Sequence, residues 1–327
     1  MLEIPGWYRK KWSIADATIA TAGSCFAQHI GRFLKQSGFN FLDVEPPPRG
    51  LRKDRWLGNG YGMYSARFGN VYTSRQLLQL LKRATGDFTP KEAAWEKDGG
   101  VVDPFRPTIE MQPFGSVAEL EASRKDHLAA VARMFEQADV FVFTLGLTEG
   151  WISEADGAAF PICPGTHGGA FDAAQYRFAN LQYPAVCQDL ETFMTKARKL
   201  NPNMRFLYTV SPVPLTATAT DQQVVVASCY SKSVLRAVAG HLAQKYDHVD
   251  YFPSFEIISS HVMRGTFYAP DMRTVVEPGV AHVMAQFFSE HVPSKKAKVR
   301  EQEPAEEDDP DDIACDEVLL EAFGEQP

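Results

Sequence analysis

A chain of 327 residues, 45% of them hydrophobic, can bury a sizeable core in one large domain or two ordinary ones. Its formal net charge of −8 comes from the stretch after residue 293, where twelve acids meet four bases. Residues 1–293 are neutral, and nothing in them suggests the clustered Lys and Arg surface a nucleic acid would need. Five cysteines at 25, 163, 187, 229 and 315 form no C-x-x-C pair and no zinc spacing, so reduced thiols are expected, with no disulfide framework and no metal. The opening "MLEIPGWYRKKWS" lacks the apolar stretch of a signal peptide, and no apolar run reaches about 18 residues. The expectation is a cytoplasmic protein without a membrane span.

In chain order, the first element is a strand at 17–23 ("ATIATAG"), followed by a helix over 26–37 with Phe26, Ile30, Phe33 and Leu34 on one stripe. An irregular stretch, 43–70, leads to a helix at 73–83 that opens on a Thr or Ser cap. After a second irregular stretch, 86–115, come a helix at 117–137 and a strand at 139–146 ("DVFVFTLG"). A third irregular stretch, 150–182, precedes a helix at 184–199 and a strand at 205–211 ("RFLYTVS"). A helix at 221–244, a strand at 248–254 and a helix at 278–290 complete the series. The strands are continuously apolar, as expected where helices cover both faces of a parallel sheet. The alternation predicts an α/β fold, a three-layer α/β/α sandwich of flavodoxin-like type with long inserted loops. Ligands bind such sheets at the carboxyl ends of the strands. The domain is expected to span 1–293. Residues 294–327 read as a disordered acidic tail, and 313–323 could form a short amphipathic helix, either a frayed end or a docking motif for a protein partner.

Chemistry is suggested first where the strand ends in Gly23-Ser24-Cys25 and a helix starts at once. A nucleophile there meets the N–H groups and positive dipole end of the helix, which favour a thiolate or an oxyanion. The alternative is a tight turn that simply needs small residues, with a buried Cys.

The motif "GSCFA" is the signature of the GSCFA domain family, which resembles a branch of the SGNH (GDSL-like) hydrolases; the likeness spans roughly residues 13–290. It implies that Cys25 lies where those enzymes carry the nucleophilic Ser, with Ser24 as runner-up. In the second block, "ARFGNVYTSRQLLQLL", the resemblance implies that Gly69 supplies an oxyanion N–H, with Asn70 nearby. In the third, Gly146 leads to Thr148 at the oxyanion Asn position and Glu149 at an Asp. In the fourth, Asp-x-x-His, Asp271 matches but Thr274 replaces the general base. His261, ten residues before Asp271, is the first candidate to replace it, with His167 and His282 behind. Arg273 could pair with Asp271 or bind a carboxylate or phosphate.

Two functions follow. One is an esterase or acyltransferase-like enzyme acting on an acylated small molecule or carbohydrate. The other is a catalytically degenerate binding or scaffold protein. A nucleotide-binding module is disfavoured because no G-x-G-x-x-G or Walker pattern follows the first strand, and no cofactor is expected.

Overall fold

The computed structural model describes residues 4–293. The tail and its 313–323 motif lie outside the described residues. In chain order the elements are β1 (Ile19–Gly23), α1 (Phe26–Gln36), α2 (Ser74–Ala84), β2 (Trp95–Lys97), β3 (Gly100–Val102), α3 (Val117–Gln137), β4 (Val140–Leu145), β5 (Glu149–Ser153), β6 (Ala159–Phe160), β7 (Tyr176–Asn180), α4 (Tyr183–Leu200), β8 (Arg205–Val210), α5 (Val224–Lys245), β9 (Val249–Phe252), α6 (Ser254–Ser259) and α7 (Glu277–Glu290).

The central sheet is fully parallel, in the order β1-β4-β8-β9. A single parallel bridge from Ile19 to Phe41 adds a vestigial strand on the free edge of β1. Counting that strand second in the chain, the order is 2-1-3-4-5, the flavodoxin-like winding, in which the direction of progression reverses between the first and third strands. The gap above the carboxyl ends of β1 and β4 is therefore the topological switch point.

The sheet is covered on both faces, and the strand sequences show how. Phe141, Phe143 and Leu145 of β4 alternate with Val140 and Val142. The first set packs with Phe206, Tyr208 and residues of α2, α3, α4 and α5. The second packs with Ile19, Leu207, Phe252 and residues of α1, α6 and α7. Burying about four aromatic side chains of this size would contribute roughly 1.5–3 kcal/mol each. Helix α2 starts as the cap signal predicts: Thr73 Oγ1 accepts from the Gln76 N–H at 3.2 Å, and Gln76 Oε1 accepts from the Thr73 N–H at 3.0 Å, a reciprocal capping box.

Two of the stretches read as irregular are not. They hold an antiparallel pair, β2-β3, and a three-stranded antiparallel sheet, β6-β5-β7. These strands run from two to five residues. They cluster around Trp95, Phe160 and Tyr176, a satellite core beside the main sheet. Helix α6 was also missed, being only six residues long. No helix among the described residues is long and apolar enough to cross a membrane.

Candidate active site at the switch point

The first turn is built by its glycine. Gly23 has φ +142, and a Cβ placed there would lie 2.5 Å from the Thr144 carbonyl oxygen and 2.7 Å from the Thr144 nitrogen. Only glycine lets β1 pass this close to β4 and turn at once into α1. The Ser24 N–H then donates to Thr144 O at 3.1 Å, and the first helical bond runs from Ala27 N–H to Ser24 O at 2.8 Å. Cys25 sits at the helix N-cap with helical dihedrals and is 6% exposed.

Two further segments are bonded to this turn. The Val71 N–H donates to Gly23 O at 2.9 Å, which brings Gly69 and Asn70 alongside. Gly69 has φ +68, a left-handed turn conformation. Asn70 Oδ1 accepts from the Tyr64 hydroxyl and from Gln28 of α1, and the Tyr64 hydroxyl is also 3.2 Å from Ser24 O. The N–H groups of Gly146 and Leu147 both donate to Tyr72 O, at 3.0 and 3.2 Å. A Cβ on Gly146 would lie 3.0 Å from Ser24 Cβ, so this glycine is also required by close approach. Buried Lys232, on α5, donates to Gly146 O at 2.6 Å and fixes the loop from behind. Tyr64 and Lys232 carried no sequence signal, because their roles depend on contacts 40 and 86 residues away in the chain.

The residues at the Asn and Asp positions of the third block serve other ends. The Thr148 hydroxyl donates to Asn180 Oδ1 at 2.7 Å and its N–H donates to Ser231 Oγ at 3.0 Å. Both donors are thus engaged in joining β5 to β7 and α5. Glu149 Oε1 accepts from Thr218 at 2.8 Å, while burial pushes its carboxyl pKa up.

The fourth block closes on itself. Asp271 Oδ1 accepts from the N–H groups of Arg273 and Thr274, both at 2.9 Å, and Oδ2 accepts from the Thr274 hydroxyl at 2.5 Å. Burial alone would raise the Asp271 pKa, but the Thr274 hydroxyl and the two N–H donors outweigh it and hold the group low. Thr274, at the His position, completes a self-contained exposed turn. Arg273 is half-buried beside it.

The candidate histidines are dispersed. His261 lies exposed on a single 3-10 turn after α6. His167 approaches Lys97 Nζ at 2.8 Å. His282 stacks on Phe267 with centroids 5.1 Å apart, and burial lowers its pKa. Ser24 Oγ is buried with no hydrogen-bond partner, so no histidine serves it as a base. The sequence reading passed over His29, one helical turn after Cys25 on the same face of α1. It is 6% exposed, its Nδ1 lies 3.4 Å from Arg32, and Arg32 reaches Glu277 of α7 at 3.2 Å. Burial, aided by Arg32, pulls its pKa down to about 3, so the ring is neutral near pH 7. The i, i+4 spacing of Cys25 and His29 was the signal that could have found it.

For a metal, the described residues offer Cys187, Glu191 and His241 on α4 and α5, with ligand atoms within 4.8 Å of one another. Glu191 already accepts from Lys245 at 2.7 Å and Tyr246 at 2.9 Å, and that ammonium competes with any cation.

Comparison with known proteins gives one family and several distant structures. A search of the curated proteins finds no match. Among solved structures, the chain is similar to an acetyl esterase mutant with acetate ion, at 10% identity over 83% of this chain and 93% of that one, with a TM-score of 0.36. It is also similar to the Clostridium thermocellum family 3 carbohydrate esterase, at 12% identity over 84% of this chain and 94% of that one, with a TM-score of 0.35. The model of the GSCFA family matches residues 18–287, which include the turn, the switch point and the strands that frame them, so the chain belongs to the GSCFA family.

Proposed function

We propose that the protein is an acyl-transfer enzyme of the esterase type in which Cys25 forms a thioester. The supporting observation is the backbone bonding of three segments around one nucleophile: Gly23-Ser24-Cys25, Gly69 to Tyr72, and Gly146-Leu147. In this reading Cys25 Sγ attacks the acyl carbon of an ester, and the N–H groups of Cys25 and Gly69 receive the developing oxyanion. The carbon–oxygen bond breaks, and the leaving alkoxide takes a proton from water. A second water then hydrolyses the thioester, releasing the carboxylic acid and restoring the thiol. Helix α1 favours the thiolate through its dipole, so the first step needs no strong base. Deacylation is weakly assisted: His29 has too low a pKa to be an effective base at pH 7, and the fourth block carries Thr274. Asn70 orders the oxyanion segment, and Thr148 and Glu149 hold β5. Asp271 and Arg273 shape the rim, and His261 is the remaining outside candidate for a base. The substrate is an acylated small molecule or carbohydrate.

The test is incubation with p-nitrophenyl acetate followed by peptide mass spectrometry. The expected outcome is an acetyl group on the Cys25 peptide, formed in a burst and lost slowly. A wild-type chain that is acetylated only at exposed Cys229, or not at all, would sink the proposal.

A second reading is a non-catalytic binder. It is favoured by the engagement of Thr148 with Asn180 and of Thr274 with Asp271, two catalytic positions used for structure. It predicts ligand binding with no covalent adduct in the same experiment.

A further inference from the structure

Behind Asn70 lies a cleft lined by Asn70, Gln76, Gln79, Arg83, Arg106 and His127, among others. Its walls carry a buried charge network. Asp103, 1% exposed, accepts from Arg106 Nε at 2.9 Å and from Arg124 at 3.0 Å. Burial alone would raise the Asp103 pKa, but Arg106, Arg83 and Arg124 overwhelm it and hold the carboxyl well below the usual range. Arg106 also donates to Ser123 at 3.0 Å. Glu45 is 2.7 Å from His127 and accepts from the Arg67 N–H at 2.7 Å. Glu110 pairs with the Arg67 side chain at 2.6 Å. Every carboxylate of the network therefore has its own donors.

Arg83 differs from its neighbours. It lies over the Phe105 ring at 4.0 Å, and its Nε is shielded from solvent with no hydrogen-bond partner. No ion pair joins it to a carboxylate among the described residues. Burial pulls its pKa down to about 10 against the attraction of Asp103, with Arg124 and Arg106 adding to the fall, so it remains charged at neutral pH. Asp103 is the carboxylate that attracts it, but that carboxylate is already hydrogen-bonded to Arg106 and Arg124, so three arginines share one acid and the Arg83 Nε is left without an acceptor. A second donor lies in the same wall. Gln76 Oε1 is taken by the N–H groups of Tyr72 and Thr73, while its Nε2 makes no hydrogen bond among the described residues.

We propose that this cleft binds a carboxylate, with Arg83 as the charged fork and the Gln76 amide as the second donor. The planar guanidinium matches a carboxylate in bidentate geometry. The cleft is small, which restricts the ligand to a compact carboxylate such as formate or acetate. Its two donors, Arg83 and Gln76, have no part in the thioester reading, although Asn70 borders both sites.

The test is a thermal-shift and calorimetric titration of the full chain with formate and acetate, against chloride at equal ionic strength. The wild type should show a saturable rise in Tm, because a ligand that binds only the folded state stabilises it. Arg83→Met, which retains an apolar contact with Phe105, should weaken binding about tenfold or more. Gln76→Glu preserves the oxygen acceptor of the α2 cap while replacing the amide donor by a like charge, and should also lose binding. Arg52→Gln, far more exposed at 75% in its side chain, and Cys25→Ser should both bind as the wild type does. Binding by Cys25→Ser separates this proposal from the acyl-enzyme reading. No saturable response, equal response in Arg83→Met and the wild type, or tighter binding of phosphate than of acetate would each overturn it. Should Arg83→Met fail to fold, Gln76→Glu and Arg83→Lys decide the matter by the same titration.

Discussion

The turn at residues 23–25 and the turn at 271–274 contrast sharply, although the resemblance assigns both to catalytic blocks. The first is buried and held by other strands: its glycine fits only because Thr144 backbone atoms crowd it, and Val71 and Thr144 bond to it. The second is exposed and bonds chiefly to itself, with the Thr274 hydroxyl donating to the second carboxylate oxygen of Asp271. The proposed nucleophile turn thus has its geometry imposed by the sheet, whereas at the turn that the resemblance assigns to the base, Asp271 serves as a local cap. A thiol at a helix N-terminus can acylate without a base, whereas an acyl-enzyme without one turns over slowly.

The sharpest way to break this contrast is at the nucleophile. Cys25→Ala should abolish the acetyl adduct on that peptide, while Asp271→Asn should change its rate of formation by less than about threefold; both are read by quenched-flow mass spectrometry, against the roughly 10²–10⁴-fold effect expected of a working acid–base group. Equal losses in the two variants would show that the second turn still takes part in chemistry.

Acid should affect the first region more than the second. His29 has an unfolded pKa of 6.5 and a folded one of about 3, so the unfolded chain binds a proton below pH 6.5 that the folded chain refuses. Its contribution is complete above about pH 7 and is lost as pH falls from 6.5 towards 3, on the order of 5 kcal/mol in full. Thermal melts of the wild type and His29→Gln between pH 7 and 4 should show a flatter profile in the variant. Asp271, whose pKa is held low, supports the fold above its unfolded value and loses that support only as pH drops below it. The two groups therefore titrate in different windows.

Gly23→Ala should cost about 3 kcal/mol, from a disfavoured backbone conformation and a clash with Thr144, measured by urea unfolding. A loss below about 1 kcal/mol would mean that the β1–β4 approach relaxes easily. The smallest effect expected is Thr274→Val, about 1 kcal/mol, because one hydroxyl bond to an exposed carboxylate is removed.

Much of the architecture was legible in the sequence. The four central strands and six long helices lie within a few residues of their expected places, because continuous apolar runs and 3.6-residue stripes survive any tertiary context. Helix α4 even begins with Pro184 in its first turn, where the missing N–H costs nothing. The short antiparallel strands escaped because pairs such as Trp151 with Phe160 or Phe178 sit in runs of two to five residues, too short to show alternation. The candidate site was legible in part. "GSCFA" pointed to the turn that the structure places at the switch point, whereas His29, four residues on, gave no motif signal, and His261, named from its place in the loop, lies exposed on a 3-10 turn.

What the sequence determined by itself was local: which segments are strand or helix, where the chain must turn on glycine, and that Thr274 stands where a base is expected. What only the tertiary structure decided was which donors and acceptors remain for chemistry. Thr148 is engaged by Asn180, Asp271 by Thr274, and the Arg83 Nε by no acceptor among the described residues, and each outcome depends on neighbours distant in the chain or on a turn's closure. Covalent order sets propensity and pattern, whereas the pairing of buried charges and hydrogen bonds is settled when the layers pack and water is removed.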